Sequence, residues 1–219
     1  MERDVTGAPD AGQPESLAQL VAAREMAVNQ ARKGGRRSEI IAAAEQAADA
    51  VQSCLSEPRM AAAGGDREAL IAVKRFLFNA AADCWPGWAA DAEKGSDAEL
   101  ERALALARRS ADLVDRLGLG PMEQGTAQWL IGAFELALRH TGAALDYFSR
   151  AQVHYETAAA PGLALLARGY GAIAHEVAGR APPQGAGSLV EILEALAFGD
   201  VEDGEDLRQQ LMTAHRIFA

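Results

Sequence analysis

The chain has 219 residues, 49% of them hydrophobic and only 5% aromatic, so it is long enough to bury a sizeable core and builds it mainly from aliphatic and alanine side chains. Its 21 basic and 31 acidic residues leave a formal charge of −10, which opposes the footprint of a protein that wraps nucleic acid or lies on anionic lipid. Neither partner is expected. The two cysteines, Cys54 and Cys84, stand in apolar stretches without redox or zinc spacing and read as reduced core residues.

Residues 1–15 are polar, acidic and rich in Gly and Pro, with neither a basic start nor an apolar core. They are expected to form a disordered tail rather than a signal peptide, which places the protein in the cytoplasm. No apolar run elsewhere approaches the roughly twenty residues that span a bilayer. From there, apolar residues recur at helical spacing in segment after segment, broken by glycine and proline. A first helix is expected from Ser16 to Ala31, ended by Lys33, Gly34 and Gly35. A second follows the N-cap candidate Ser38, carries Ile40, Ala44, Ala47, Val51 and Leu55, and stops before Pro58.

The third helix starts near Asp66 and carries Leu70, Val73, Leu77, Ala80 and Cys84, with Phe76 and Phe78 widening its apolar surface enough to contact neighbours on two sides. Pro86 and Gly87 break the chain, and residues 89–96 read as a linker or short turn. A fourth helix follows Ser96 or Asp97, with Leu100, Leu104, Ala107, Ala111 and Val114 in phase. A fifth runs from Glu123 to His140, with Ala127, Leu130, Ile131, Phe134 and Leu138 inward, and Gly142 turns the chain into a sixth. After Pro161 a seventh aligns Leu163, Leu166, Tyr170, Ile173 and Val177. Two shorter helices, Ser188–Phe198 and Gly204–Phe218, close the chain.

Within the sixth helix Ala144, Phe148 and Ala151 share one face, a large knob between two small residues that lets neighbouring helices close in. Gly132 stands twelve residues before Ala144. This segment, from about Gly125 to Pro161, resembles the tetratricopeptide repeat, and the starts of its helices, near Glu123 and Pro161, are about 38 residues apart against the family's roughly 34. The family's proline position falls at Glu156, its tryptophan position at Gln128 beside Trp129, and its tyrosine position at Glu135. The resemblance implies an all-α fold of antiparallel hairpins stacked as a short right-handed solenoid, about nine helices with a C-terminal capping helix. Divergent hairpins would occupy 16–85, the repeat-like core 97–178 and the capping helices 188–219, all within one domain.

Motifs of catalysis are absent: the chain has no HExxH, P-loop, GxSxG or dinucleotide fingerprint, and His140, His154, His175 and His215 are scattered. No chemistry, cofactor or metal is expected. His140 reads as a cap at a helix C-terminus. Arg32, Lys33, Arg36 and Arg37 gather four positive charges around a glycine turn, an anion-binding candidate whose plain alternative is a solvated connection.

In a stack of hairpins the first helix of each pair lines a concave groove. There the fifth helix would present Trp129 beside Thr126, Ala133 and Leu136, the third Lys74, Phe78 and Trp85, and the seventh Arg168, Ala172 and His175. Aromatics beside cations suit an extended peptide bearing apolar side chains and an acidic group, so the expected role is a protein- or peptide-binding adaptor, scaffold or regulatory subunit. The plain alternative makes Phe78, Trp85 and Trp129 core residues. A different class of function is a helical enzyme or small-molecule sensor with Lys74, His140, Arg168 and His175 converging on a pocket between the third, fifth and seventh helices. A homodimer through Trp85 and Trp88 is a third reading.

Overall fold

A computed structural model describes residues 16–56, 66–88, 94–183 and 185–219. The tail, Pro58, Gly64, Gly65 and most of the 89–96 linker lie outside the described residues. The described chain is all-helical: α1 (Leu17–Gly34), α2 (Arg37–Leu55), α3 (Asp66–Cys84), a 3-10 turn (Pro86–Trp88), α4 (Asp97–Arg116), α5 (Pro121–Ala137), α6 (Thr141–Thr157), α7 (Pro161–Val177), α8 (Leu189–Phe198) and α9 (Gly204–Phe218).

Helix boundaries follow local chemistry. Ser16 accepts from the Gln19 amide at the start of α1, and Gly35 takes the left-handed conformation that ends it. Ser96 and Ser188 each form a reciprocal capping box, with Glu99 and Glu191 respectively. By contrast α2 begins at Arg37 with Arg36 as an N-cap that makes no side-chain bond, so Ser38 lies inside the first turn rather than capping it.

The clearest regularity is in the middle. Helices α5, α6 and α7 are each 17 residues long. They start at Pro121, Thr141 and Pro161, so one helix and its turn occupy 20 residues each time. All three end alike: the amides of His140, Ala160 and Arg180 donate to the carbonyls of Glu135, Tyr155 and His175, five residues back. Arg139, Ala159 and Gly179 adopt positive φ at the matching position. The left-handed Arg139 is why α5 stops at Ala137, short of the expected His140. Proline stands at the first position of α5 and of α7, and in α5 it starts the helix two residues ahead of the expected Glu123.

Each helix from α1 to α7 packs on the next, and α1 also meets α3, α2 meets α4, and α5 meets α7. That is a stack of hairpins. Ion pairs bridge alternate helices along its surface: Arg32 to Asp83, Arg75 to Glu25 at 2.8 Å, Arg102 to Glu45 at 2.6 Å and Arg109 to Asp49 at 2.8 Å. Being exposed, such pairs fix register more than they stabilise, at about 0–1 kcal/mol each. α6 seats as its small–large–small pattern predicts, with Ala144, Phe148 and Ala151 buried. A Cβ at Gly132 would stand 2.8 Å from the Phe148 ring, so the glycine makes room for the knob.

After α7 the stacking order changes. α8 packs on α7, but α9 folds back against α7, α8 and the 3-10 turn. The last helix therefore reaches the middle of the chain instead of only covering an open end.

Candidate functional site

Two of the three aromatic residues read as a partner surface, Trp85 and Trp129, meet inside the fold, and Phe78 stands apart from them. Trp85 directly follows α3, and its ring lies 5.1 Å from Trp88, 5.7 Å from Trp129 on α5, 5.7 Å from Tyr170 on α7 and 6.0 Å from Phe218 on α9. Phe148 of α6 stacks on Tyr170 at 5.3 Å. The chain passes over the Trp85 ring only because residue 87 is glycine; a Cβ there would sit 2.0 Å from it. Edge-on packing of this kind adds about 0.5–1.5 kcal/mol per pair to the burial itself.

Trp85 is 2% exposed and Trp129 is 5% exposed, which corrects the expectation that they stand free in an open groove. The reason is α9. Its Leu207 and Leu211 lie one turn apart and point at Gly162 and Gly169 of α7, where added Cβ atoms would meet their methyls at 3.0 and 2.4 Å. Gln210 donates to the Tyr170 hydroxyl at 3.2 Å, His215 bonds Glu176 at 2.9 Å, and Arg139 donates to the Phe218 carbonyl at 2.7 Å. Burial pushes the Tyr170 hydroxyl well above the usual tyrosine range, so it stays protonated. Ala133 and Leu136, on the same face of α5 as Trp129, are also buried. Of the two tryptophans read as a dimer contact, Trp85 is buried inside its own chain and Trp88 is about half exposed.

The indole nitrogens of Trp85 and Trp129 are buried with no hydrogen-bond acceptor. An unmet buried donor costs about 1–3 kcal/mol.

The cations are distributed differently from the expectation. Lys74 lies over the half-buried Phe78 ring at 5.5 Å, its ammonium pushed below the ordinary lysine value by burial while Glu123 pulls the other way. His140 is held by the Glu135 carboxylate at 2.9 Å and precedes α6, so it neither caps the C-terminus of α5 through its ring nor joins Lys74 in a pocket. Of the four residues expected to converge, Arg168 and His175 share a cavity. In the glycine turn, Arg32 pairs with Asp83 and Arg36 with Glu39 at 2.6 Å, so these cations are already met by carboxylates of the same chain, and Arg37 acts on the Glu99 carboxylate. Lys33 is exposed, and the Arg37 carbonyl faces the Cys84 thiol. Burial pushes that thiol up to about 12, leaving it protonated and unreactive at neutral pH.

Arg168 and His175 line a half-open cleft of about 530 Å³ between α6 and α7, roofed by Pro182, Pro183 and the chain around Ala186. The α6 wall brings Asp146, Ser149 and Gln152, one helical turn apart. Arg168 donates to the Ala186 carbonyl at 2.9 Å and so ties the roof to α7. Gly171 lines the cleft, and a Cβ there would meet nothing within 4 Å. The Nδ1 atom of His175 is buried and has no hydrogen-bond partner.

Sequence reasoning missed both the notches and the cleft. Gly162 and Gly169 are seven residues apart on one helix face, a spacing visible in the sequence, but its meaning depends on Leu207 and Leu211, far along the chain. Among the described residues, no three His, Cys, Asp or Glu side chains gather as a metal-binding group. No described helix is long and apolar enough to cross a membrane. Compared with family models, curated proteins and solved structures, the chain matches none.

Proposed function

We propose that this is a divergent tetratricopeptide-like protein of the cytoplasm that works by binding, as an adaptor or regulatory subunit, and takes a helical segment of a partner protein across the ends of α3, α5 and α7. One observation carries the reading: at α7 and the turn after α3 a helix, α9, is already seated through a Leu-Leu pair set into glycine notches and a phenylalanine set against Trp85. A face that seats one amphipathic helix offers the same anchors to another. The unmet indole donors of Trp85 and Trp129 support exchange, because a partner bringing an acceptor near them gains what α9 forgoes.

The test is affinity capture with the full-length wild type and two variants, followed by mass spectrometry. Leu211→Ala shortens the knob that faces Gly169 and is expected to loosen α9 and raise recovery of the partner. Gly169→Leu fills the notch and is expected to abolish it. The recovered partner should contain an amphipathic helix with apolar residues spaced like Leu207, Leu211 and Phe218. Recovery of nothing, or equal recovery by all three folded proteins, overturns the reading.

A further inference from the structure

The cleft between α6 and α7 lies apart from the α9 seat and has its own chemistry. We propose that it is a binding site for a small zwitterion of the amino-acid type. Its volume, about 530 Å³, falls in the range of roughly 300–1,000 Å³ typical of small-ligand pockets. One wall carries the Asp146 carboxylate and the other the Arg168 guanidinium. A simple anion would meet Arg168 but face Asp146 on a chain of net charge −10, and a simple cation would meet Asp146 but face Arg168. A molecule with both charges is matched at both ends.

Arg168 suits the carboxylate end. Its guanidinium has five N–H groups in a fixed fork, more than the Ala186 carbonyl occupies, and a carboxylate takes two in parallel. Asp146 takes the ammonium. Leu145, Pro182 and Pro183 supply apolar surface for a side chain, and Ser149 and Gln152 supply neutral hydrogen bonds at the rim. Gly171 keeps the floor flat, and nothing in the surrounding packing needs a glycine there, since a Cβ would enter open space. Because Arg168 also holds the roof at Ala186, occupancy would tighten the segment leading into α8.

The full-length protein is dialysed against a mixture of the twenty amino acids, each at about 1 mM, and the retained compound is then titrated by calorimetry beside its deaminated acid and its decarboxylated amine. At least one amino acid should be retained, with both analogues about tenfold weaker or worse. Asp146→Asn, at an exposed position, should erase the advantage over the deaminated acid, and Gly171→Leu should abolish binding while circular dichroism stays unchanged. Should Gly171→Leu fail to fold, Ser149→Leu fills the cleft from the other wall. Retention of no amino acid, equal binding of the deaminated acid, or undiminished binding by a folded cleft-filling variant overturns the proposal. None of these readouts involves a partner protein, so the outcome is independent of the α9 seat.

Discussion

Glu135 is the residue that departs furthest from its surroundings. Nearly every other side chain of the second half of α5 is apolar and buried, yet this carboxylate is 3% exposed, accepting from Arg108 of α4 at 2.5 Å and from His140 at 2.9 Å. A buried carboxylate is tolerated when its oxygens are met, and here the two partners approach from two different elements, joining α4, α5 and the α5–α6 turn. Removing one partner is worse than removing the charge itself. Arg108→Ala should therefore cost about 1–3 kcal/mol, whereas Glu135→Leu, which discards the carboxylate and fills similar space, should cost less. Urea denaturation of the two variants checks the order. In the sequence, Glu135 showed only as a poor match at an aromatic position of the repeat pattern. Its partners were not legible, because Arg108 is 27 residues away and nothing local links them.

At the level of elements, glycine acts in two opposite ways along α5 to α7. Gly132 is a packing glycine: a methyl there would press on the rigid Phe148 ring at 2.8 Å, so Gly132→Ala should lose about 1–3 kcal/mol despite the better helix propensity of alanine. Ala159 is the reverse case. It occupies a left-handed turn position, with φ of 55°, where Gly179 stands in the equivalent turn after α7. Ala159→Gly should raise stability by about 0.5–1 kcal/mol, since the left-handed strain removed exceeds the entropy that glycine adds to the unfolded chain. Thermal melts read both signs. Most helices, several caps and the small–large–small face of α6 were legible because each depends on residues within a few positions. The common 20-residue unit was not, since the left-handed turns are filled once by glycine and twice by other residues.

For the whole molecule, the decisive contact is between α9 and the centre. All three tryptophans of the chain belong to the aromatic group that Phe218 adjoins, so intrinsic fluorescence reports directly on it. Phe218 is fully buried. Phe218→Ala should cost about 3–5 kcal/mol through lost burial and the cavity left behind, and should shift tryptophan emission to the red as water reaches Trp85. Unchanged emission from a folded variant would mean that α9 does not shield this centre.

By itself the sequence determined that the chain is helical, roughly where the helices lie and which stripe of each is apolar, because periodicity, caps and turn residues act over a turn or two of chain. It also marked Trp85, Trp129, Arg168 and His175 as belonging to a face beyond the simplest core stripe. Only the tertiary structure decided what covers that face: Phe218 of α9 against Trp85, the rings of Trp85, Trp88 and Tyr170 around Trp129, and the Pro182–Pro183 roof beside Arg168 and His175. A stripe's hydrophobicity records that it leaves water but not what displaces the water. That choice rests on the fit of Leu207 and Leu211 into glycine notches some forty residues earlier, a matching of shapes that exists only once the helices are in place.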